Sequence, residues 1–212
     1  MPDIITREIF ASMIAAAARR VREHQAELCR LDSHGGDGDH GTTMARAMSQ
    51  AEQAATKAGG GVSALLKDAG WAVMGIDGGA TGPLFGTLFT KMAAAAGDSM
   101  ADSAALANVF ESGLAGVRKR SKAAPGDKTL VDALAPAVEA LRAAADQGAS
   151  IPDALDAAAR AAQEGAEATR DMQARFGRAK HLGEGSIGEP DPGATSMAYL
   201  FAGFAEGVKG HA

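Results

Sequence analysis

The sequence predicts an all-α protein, and three observations carry that expectation. Alanine fills 50 of the 212 positions while aromatic residues make up only 4%. Alanine is the best helix former, whereas sheets lean on branched and aromatic side chains. Apolar residues recur at three- and four-residue steps through most of the chain, the spacing that one helical face requires. No six-residue stretch alternates apolar and polar residues as a strand would.

Eight helices follow in order. The first runs from Ile4 to Leu31, with Ile5, Ile9, Met13, Ala17, Leu28 and Leu31 on one face. The second starts at His40 and runs towards Lys57, where "KAGGG" stops it. Val62, Leu66, Ala69, Val73 and Ile76 are in register in the third, which ends at "DGGATG", residues 77–82. The fourth spans Thr81 to about Ala96, with Phe85, Leu88, Phe89 and Met92 on one side. Thr81 suits its N-cap, and Pro83 its first turn, where a missing N–H costs nothing. The fifth covers roughly Asp102 to Arg120, and the sixth begins near Thr129, with Pro136 inside it as an expected kink. The seventh runs from Pro152 to about Met172 on a face built mostly of alanine. The eighth starts at Pro192 and carries Met197, Leu200, Phe201 and Phe204.

Short connections favour antiparallel neighbours, so the simplest packing is an up-and-down bundle forming a single domain over residues 1–212. One connection is long. Residues 173–191, "QARFGRAKHLGEGSIGEPD", lack periodicity and are rich in glycine, the signature of a lid or binding loop.

Bulk properties narrow the function. A net charge of −5 leaves no basic surplus for nucleic acid. Nothing approaches the ~20 apolar residues of a membrane span, and the N-terminus lacks the pattern of a signal peptide. A soluble, cytoplasmic protein is expected. The single cysteine, Cys29, reads as a small, partly buried side chain. The run "RKRSK", 118–122, reads as a solvated helix end matched to the helix dipole.

The stretch "LDSHGGDGDHGTTM", 31–44, places Asp32, Asp37 and Asp39 within eight residues. Three readings compete with a plain acidic turn. Residues 36–41 match G-x-G-x-x-G in form, but a helix precedes them and carboxylates stand where a pyrophosphate would lie. An EF-hand fails because Met48 falls where the bidentate Glu belongs. The third is a magnesium site for nucleotide phosphates. Asp37 and Asp39 point the same way in an extended stretch, and Asp32 closes on them through "SHGG". Three carboxylates are more than one magnesium ion usually takes, which suggests two ions. The helix start at "HGTTM" offers free N–H groups to phosphate, and Thr42 and Thr43 add hydroxyls. Two further glycine-rich helix starts, "GGATGPLFG" at 78–86 and "EPDPGATSM" at 189–197, strengthen the case for an anion pocket. Gly126-Asp127-Lys128-Thr129 is not a Walker A motif, because no glycine precedes Lys128.

Together, "LDSHGGDGDHG", "GGATGPLFG", "GDKTLVDAL" and "GRAKHLGEGSIGEPDPGATS" resemble the nucleotide-binding L subunit (DhaL-type, or DAK2-type, domain) of dihydroxyacetone kinases, over essentially the full length and in the same order. The resemblance implies an eight-helix antiparallel barrel with the nucleotide site at one end. It implies magnesium on Asp32, Asp37 and Asp39, and phosphate contacts at His40, Gly41, Thr42 and Thr43. Further nucleotide contacts would be Ala80, Thr81, Gly126, Arg178, Asp191, Pro192 and Gly193. The catalytic set would be Asp32, Asp37, Asp39 and Arg178. The implied cofactors are Mg2+ and ADP or ATP, and the implied partner is a separate DhaK-type subunit that holds a small ketose. A phosphotransferase-system protein is a candidate phosphoryl donor, and a homodimer is compatible with the family.

Fatty-acid kinase subunits share a related domain but carry threonine where this chain has His40, which favours the dihydroxyacetone type. The chain departs from the family pattern at Ser33–Gly36, at Gly185 in place of an arginine, and at Glu189-Pro190 in place of His-Gln. The last two departures are compatible with a different small ketose, such as erythrulose. A module that retains ADP without turnover is the non-catalytic alternative.

Overall fold

The computed structural model describes residues 4–210, and nine α-helices form among them. They are α1 (Arg7–Glu23), α2 (Gln25–Ser33), α3 (His40–Lys57), α4 (Val62–Met74), α5 (Thr81–Ala95), α6 (Ser103–Ser121), α7 (Val131–Asp146), α8 (Ile151–Ala168) and α9 (Pro192–Lys209). Strand pairing among the described residues is limited to an isolated bridge between Ile5 and Met100. None of the helices is long and apolar enough to cross a membrane.

The expected first helix is two. It breaks at His24, whose backbone leaves helical geometry at φ −105° and ψ 15°. Apolar spacing runs on through the break, so periodicity alone does not show it. The His24 ring stacks on Tyr199 of α9 with centroids 4.2 Å apart, and the change of axis lets α2 lean over the start of α3. A Cβ on Gly41 there would lie 2.1 Å from the Gln25 carbonyl oxygen.

Consecutive helices run antiparallel and pack side by side from α3 through α9, and α9 packs on α1, which in turn packs on α3. The ring therefore closes, with α1 and α2 together forming one of eight staves. The interior is filled by Phe10, Phe85, Phe89, Phe110, Phe201 and Phe204, all buried. Phe110, Phe201 and Phe204 meet with centroids 5.2–5.9 Å apart in tilted and edge-on pairs, the geometry aromatic quadrupoles favour. Few aromatics suffice because alanine and glycine bring the backbones close. A Cβ on Gly203 of α9 would meet the Ala17 Cα of α1 at 2.3 Å.

Helix caps largely follow the sequence signals. Asp102 accepts the Ala105 N–H at 2.7 Å, Ser150 accepts that of Asp153, and Asp191 accepts that of Ala194 at 2.7 Å. Thr81 is not the cap expected of it. It is the first helical residue after Ala80, and its hydroxyl turns to His40. Pro136 lies inside α7 without ending it. The Asp132 carbonyl, which loses its helical donor at Pro136, faces Gly165 of α8, where a Cβ would come within 2.3 Å of that oxygen. A short 3-10 segment, Thr169–Asp171, follows α8, and the long connection holds another at Ala179–Ser186, bent at Gly183 (φ 57°).

Candidate functional site

Up-and-down alternation brings the N-termini of α3, α5, α7 and α9 to the same end of the barrel as the C-termini of α2 and α6. A cavity of about 530 Å³ opens there. Three glycine-rich helix starts, at His40, Thr81 and Pro192, contribute to its wall. The positive ends of three helix dipoles thus converge on one space, a setting suited to an anion, although Asp32 already accepts the Asp39 and His40 N–H groups and Asp191 that of Ala194.

The aspartate loop forms the acidic part of the wall. Asp32, Asp37 and Asp39 each offer a carboxylate oxygen, and these atoms lie within 4.8 Å of one another. Asp32 is oriented by its own loop, its Oδ2 accepting the N–H groups of Asp39 at 3.1 Å and His40 at 3.3 Å. The glycines make this fold-back feasible. A Cβ on Gly36 would sit 2.3 Å from Asp32 Oδ1, and Gly38 takes φ +75° against Ser33. Arg178, from the long connection, pairs with Asp37. That guanidinium holds the Asp37 carboxyl below the ordinary range. Asp39 moves the other way, raised by loss of solvent and then by the negative charge of Asp37. Repulsion is relieved on one side by a cation and left standing on the other. Hard oxygen ligands at this spacing fit a divalent cation such as magnesium.

His40 closes the floor. Its Nε2 lies 2.8 Å from Ser196 Oγ of α9, and its Nδ1 lies 3.4 Å from Thr81 Oγ1 of α5. The ring thereby joins all three glycine-rich helix starts. Burial lowers its pKa and favours the neutral imidazole.

The connection 173–191 covers the cavity and is tied down on several sides. Lys128 Nζ donates to Ser186 O at 2.5 Å and to Glu189 O at 2.7 Å. Arg170 donates to Gly188 O at 2.7 Å, Arg30 pairs with Glu189 at 3.2 Å, and His34 Nε2 lies 2.8 Å from Gly185 O. His34 thus meets the cover over the aspartate loop instead of facing bulk solvent alone.

A DAK2 domain profile matches residues 34–206. The chain belongs to the DAK2 domain family. It is 44% identical over 176 residues to the ADP-binding subunit DhaL of the PEP-dependent dihydroxyacetone kinase of Escherichia coli (strain K12), covering 82% of this chain and 83% of that protein. It is 39% identical over 194 residues to a D-erythrulose kinase of Mycolicibacterium smegmatis, covering 90% of this chain but 33% of that longer protein. Among solved structures, the dihydroxyacetone kinase from C. freundii in complex with AMP-PNP and Mg2+ superposes with a TM-score of 0.70 at 27% identity, over 92% of this chain and 33% of that one.

Within this DAK2 domain the expected site residues divide into two groups. Asp32, Asp37, Asp39, His40, Ala80, Thr81, Arg178, Asp191, Pro192 and Gly193 all line the cavity. Gly41, Thr42, Thr43 and Gly126 do not. Gly41 is packed against Gln25 and Cys29 of α2. The Thr42 hydroxyl accepts from Gln25 Nε2 at 3.3 Å. Thr43 is buried beneath Gly78. Gly126 donates its N–H to Asp132 Oδ1 at 2.5 Å. The phosphate-facing role expected of the two threonine hydroxyls is therefore not served by where their side chains point. Among the described residues no acceptor meets the Gly41 and Thr42 N–H groups, but neither residue lines the cavity.

Several wall residues carry little signal in the sequence. Arg120 and Ser121 of the "RKRSK" run reach the cavity edge, so this helix end is more than a solvated terminus. Phe176 contributes an apolar ring. Lys128 in the wall and Asp132, which does not line the cavity, are both buried, 5% exposed each. A charged residue two before an apolar helical face is the only signal for Lys128, and that pattern is common on surfaces.

Proposed function

We propose that this chain is the nucleotide-binding subunit of a dihydroxyacetone-type kinase, acting as one domain over residues 1–212 in the cytoplasm. It binds ADP or ATP with Mg2+ and passes a phosphoryl group to a small ketose held by a separate DhaK-type subunit. The observation that carries this reading is the meeting of three carboxylates, within 4.8 Å of one another, with three helix N-termini at one cavity. Carboxylates and helix N-termini side by side suit a polyphosphate carried with a divalent cation.

Asp32, Asp37 and Asp39 would hold the metal, and the number of carboxylates favours two ions. When bound, Mg2+ neutralises charge on the phosphate oxygens. The chain's own residues do the rest. The positive ends of α3, α5 and α9 favour negative charge there. Arg178 brings a cation from the cover to the same place. Neutral His40, engaged by Ser196 and Thr81, fixes the three helix starts relative to one another. The general base would come from the partner subunit that holds the ketose. Phosphoryl transfer depends mostly on positioning and electrostatics, so no nucleophile is required of this chain.

The 39% identity to a D-erythrulose kinase favours a second reading, in which the ketose is erythrulose. The likeness to a PEP-dependent subunit favours a retained ADP that a phosphotransferase-system protein rephosphorylates.

The test is to measure nucleotide and metal in the freshly purified chain, by heat release, chromatography and metal analysis. Stoichiometric ADP with magnesium supports the retained-nucleotide cycle. An empty chain that binds ATP only with magnesium supports direct ATP use. A chain that binds neither refutes the reading. Light scattering on the same sample tests for a homodimer.

A further inference from the structure

We propose that Lys128 is a positioning residue: its buried ammonium holds Ser186–Glu189 in place and thereby sets the cavity wall that continues into Asp191–Gly193. The inference rests on the nucleotide reading above and adds a residue to it. Lys128 donates to Ser186 O at 2.5 Å and to Glu189 O at 2.7 Å, so a single group grips both ends of the segment. The next residues of the chain, Pro190 to Gly193, line the cavity and start α9.

Two features of Lys128 are costly, and neither serves packing. Its backbone is left-handed, φ 59°, in a residue other than glycine, which is strained. Its side chain is buried, 5% exposed, and among the described residues no carboxylate lies within ion-pair distance of it. Burial accordingly lowers its pKa, while Asp191 and Glu189 at longer range favour the charge. An apolar side chain of similar length would be cheaper to bury. Dedicated local structure nevertheless holds the lysine there. Asp132 accepts the N–H groups of Gly126 at 2.5 Å and Thr129 at 2.7 Å, and Asp127 accepts that of Ala124 at 2.8 Å. The two aspartates brace the turn on both sides of Lys128.

Hydrogen bonds from Ala174 N to Ser186 Oγ, from Gly188 N to Arg170 O and from Asp191 N to Thr169 Oγ1 act beside Lys128. The other cations on the cover are of a different kind. Arg30 and Arg170 have side chains 60% and 43% exposed, so water replaces them readily. A buried ammonium has no such substitute, and removing it strands two carbonyls. Strain and desolvation borne at a wall that ligand must touch point to function.

The experiment uses the full chain with K128M, which keeps the stem and removes the charge, and K128R, which keeps a cation. The readouts are Mg·ADP dissociation, by displacement of a fluorescent ADP analogue, and amide hydrogen exchange without nucleotide. K128M is expected to release Mg·ADP about 10–100-fold faster, the range seen when residues supporting a ligand shell are removed, with little change in association. Its amides in 183–193 exchange faster while those of α1 and α4 do not, and K128R recovers part of both effects. Wild-type release together with wild-type exchange in 183–193 overturns the proposal. So does a loss of protection spread evenly over the chain in both variants, which would mark Lys128 as general support for the fold. If the unmodified chain binds no Mg·ADP, the functional reading fails, and the exchange measurement then decides the strap by itself.

Discussion

Asp32 combines two tasks in one side chain, because its carboxylate both caps its own loop and offers an oxygen to the acidic cluster. Replacing it with asparagine separates them. The amide would keep an oxygen for the Asp39 and His40 N–H groups but lose the charge. D32N is expected to fold normally and to lose at least about tenfold in magnesium-dependent ADP affinity, read by calorimetry with and without the metal. Equal affinities in the two proteins would remove Asp32 from the metal site. Gly41 supports a second prediction, whose sign is unusual. Gly→Ala inside a helix ordinarily stabilises by up to about 1 kcal/mol. Here the new Cβ would lie 2.1 Å from a backbone oxygen of α2, so G41A is expected to destabilise by about 1–3 kcal/mol in denaturant unfolding. A neutral or stabilising G41A would mean that α2 does not lean on α3 this closely. The acidic trio was legible in the sequence because its members are close in sequence and chemically alike. The packing role of Gly41 was not, since nothing in "DHGTT" says which helix lies against it.

Helix boundaries marked by capping side chains were legible to within a residue or so, as at Asp102 and Asp191. Boundaries set by tertiary contact were not. The break at His24 leaves the apolar spacing intact and depends on Tyr199, far along the chain. The turn 124–132 is hidden for a related reason. Asp127, Lys128 and Asp132 are all under 9% exposed, because the turn supplies its own acceptors and is covered by the long connection. Asp132 is expected to govern this element. D132A leaves two backbone N–H groups, of Gly126 and Thr129, without their acceptor, at about 1–3 kcal/mol for each that stays buried. Thermal unfolding measures the loss, and faster exchange localised to 124–130 would show that the turn itself has come loose. An unchanged melting temperature would mean that water satisfies both groups.

Two predictions concern the whole molecule. Burial pushes the Asp191 carboxyl from 3.8 up to about 7. A carboxyl that binds its proton more tightly when folded favours the folded state at low pH, and that contribution falls away as pH rises from about 4 to about 7. D191N keeps a capping oxygen for Ala194 without the charge, so its stability should decline less across that window, as judged by melting temperature against pH. Parallel curves would show that Asp191 is ionised in the native protein throughout. Mg·ADP at about a hundred times its Kd should add about 2.7 kcal/mol, or roughly 5–11 °C for a domain of this size. No shift, at a concentration shown independently to saturate, would contradict binding to the folded form. Up-and-down topology was legible from the short connections, whereas closure of the ring was expected only through the family resemblance, because no local signal tells that α1 meets both α3 and α9. Closure has one practical result. Gly203 of α9 lies on Ala17 of α1 and Gly207 on Met13, so these two helices run antiparallel and Arg7 and Lys209 come to the pole opposite the cavity. An affinity tag, a surface tether or a fused protein attached at either end of the described chain would stand clear of the mouth, and an immobilised sensor built this way would present its binding face outward.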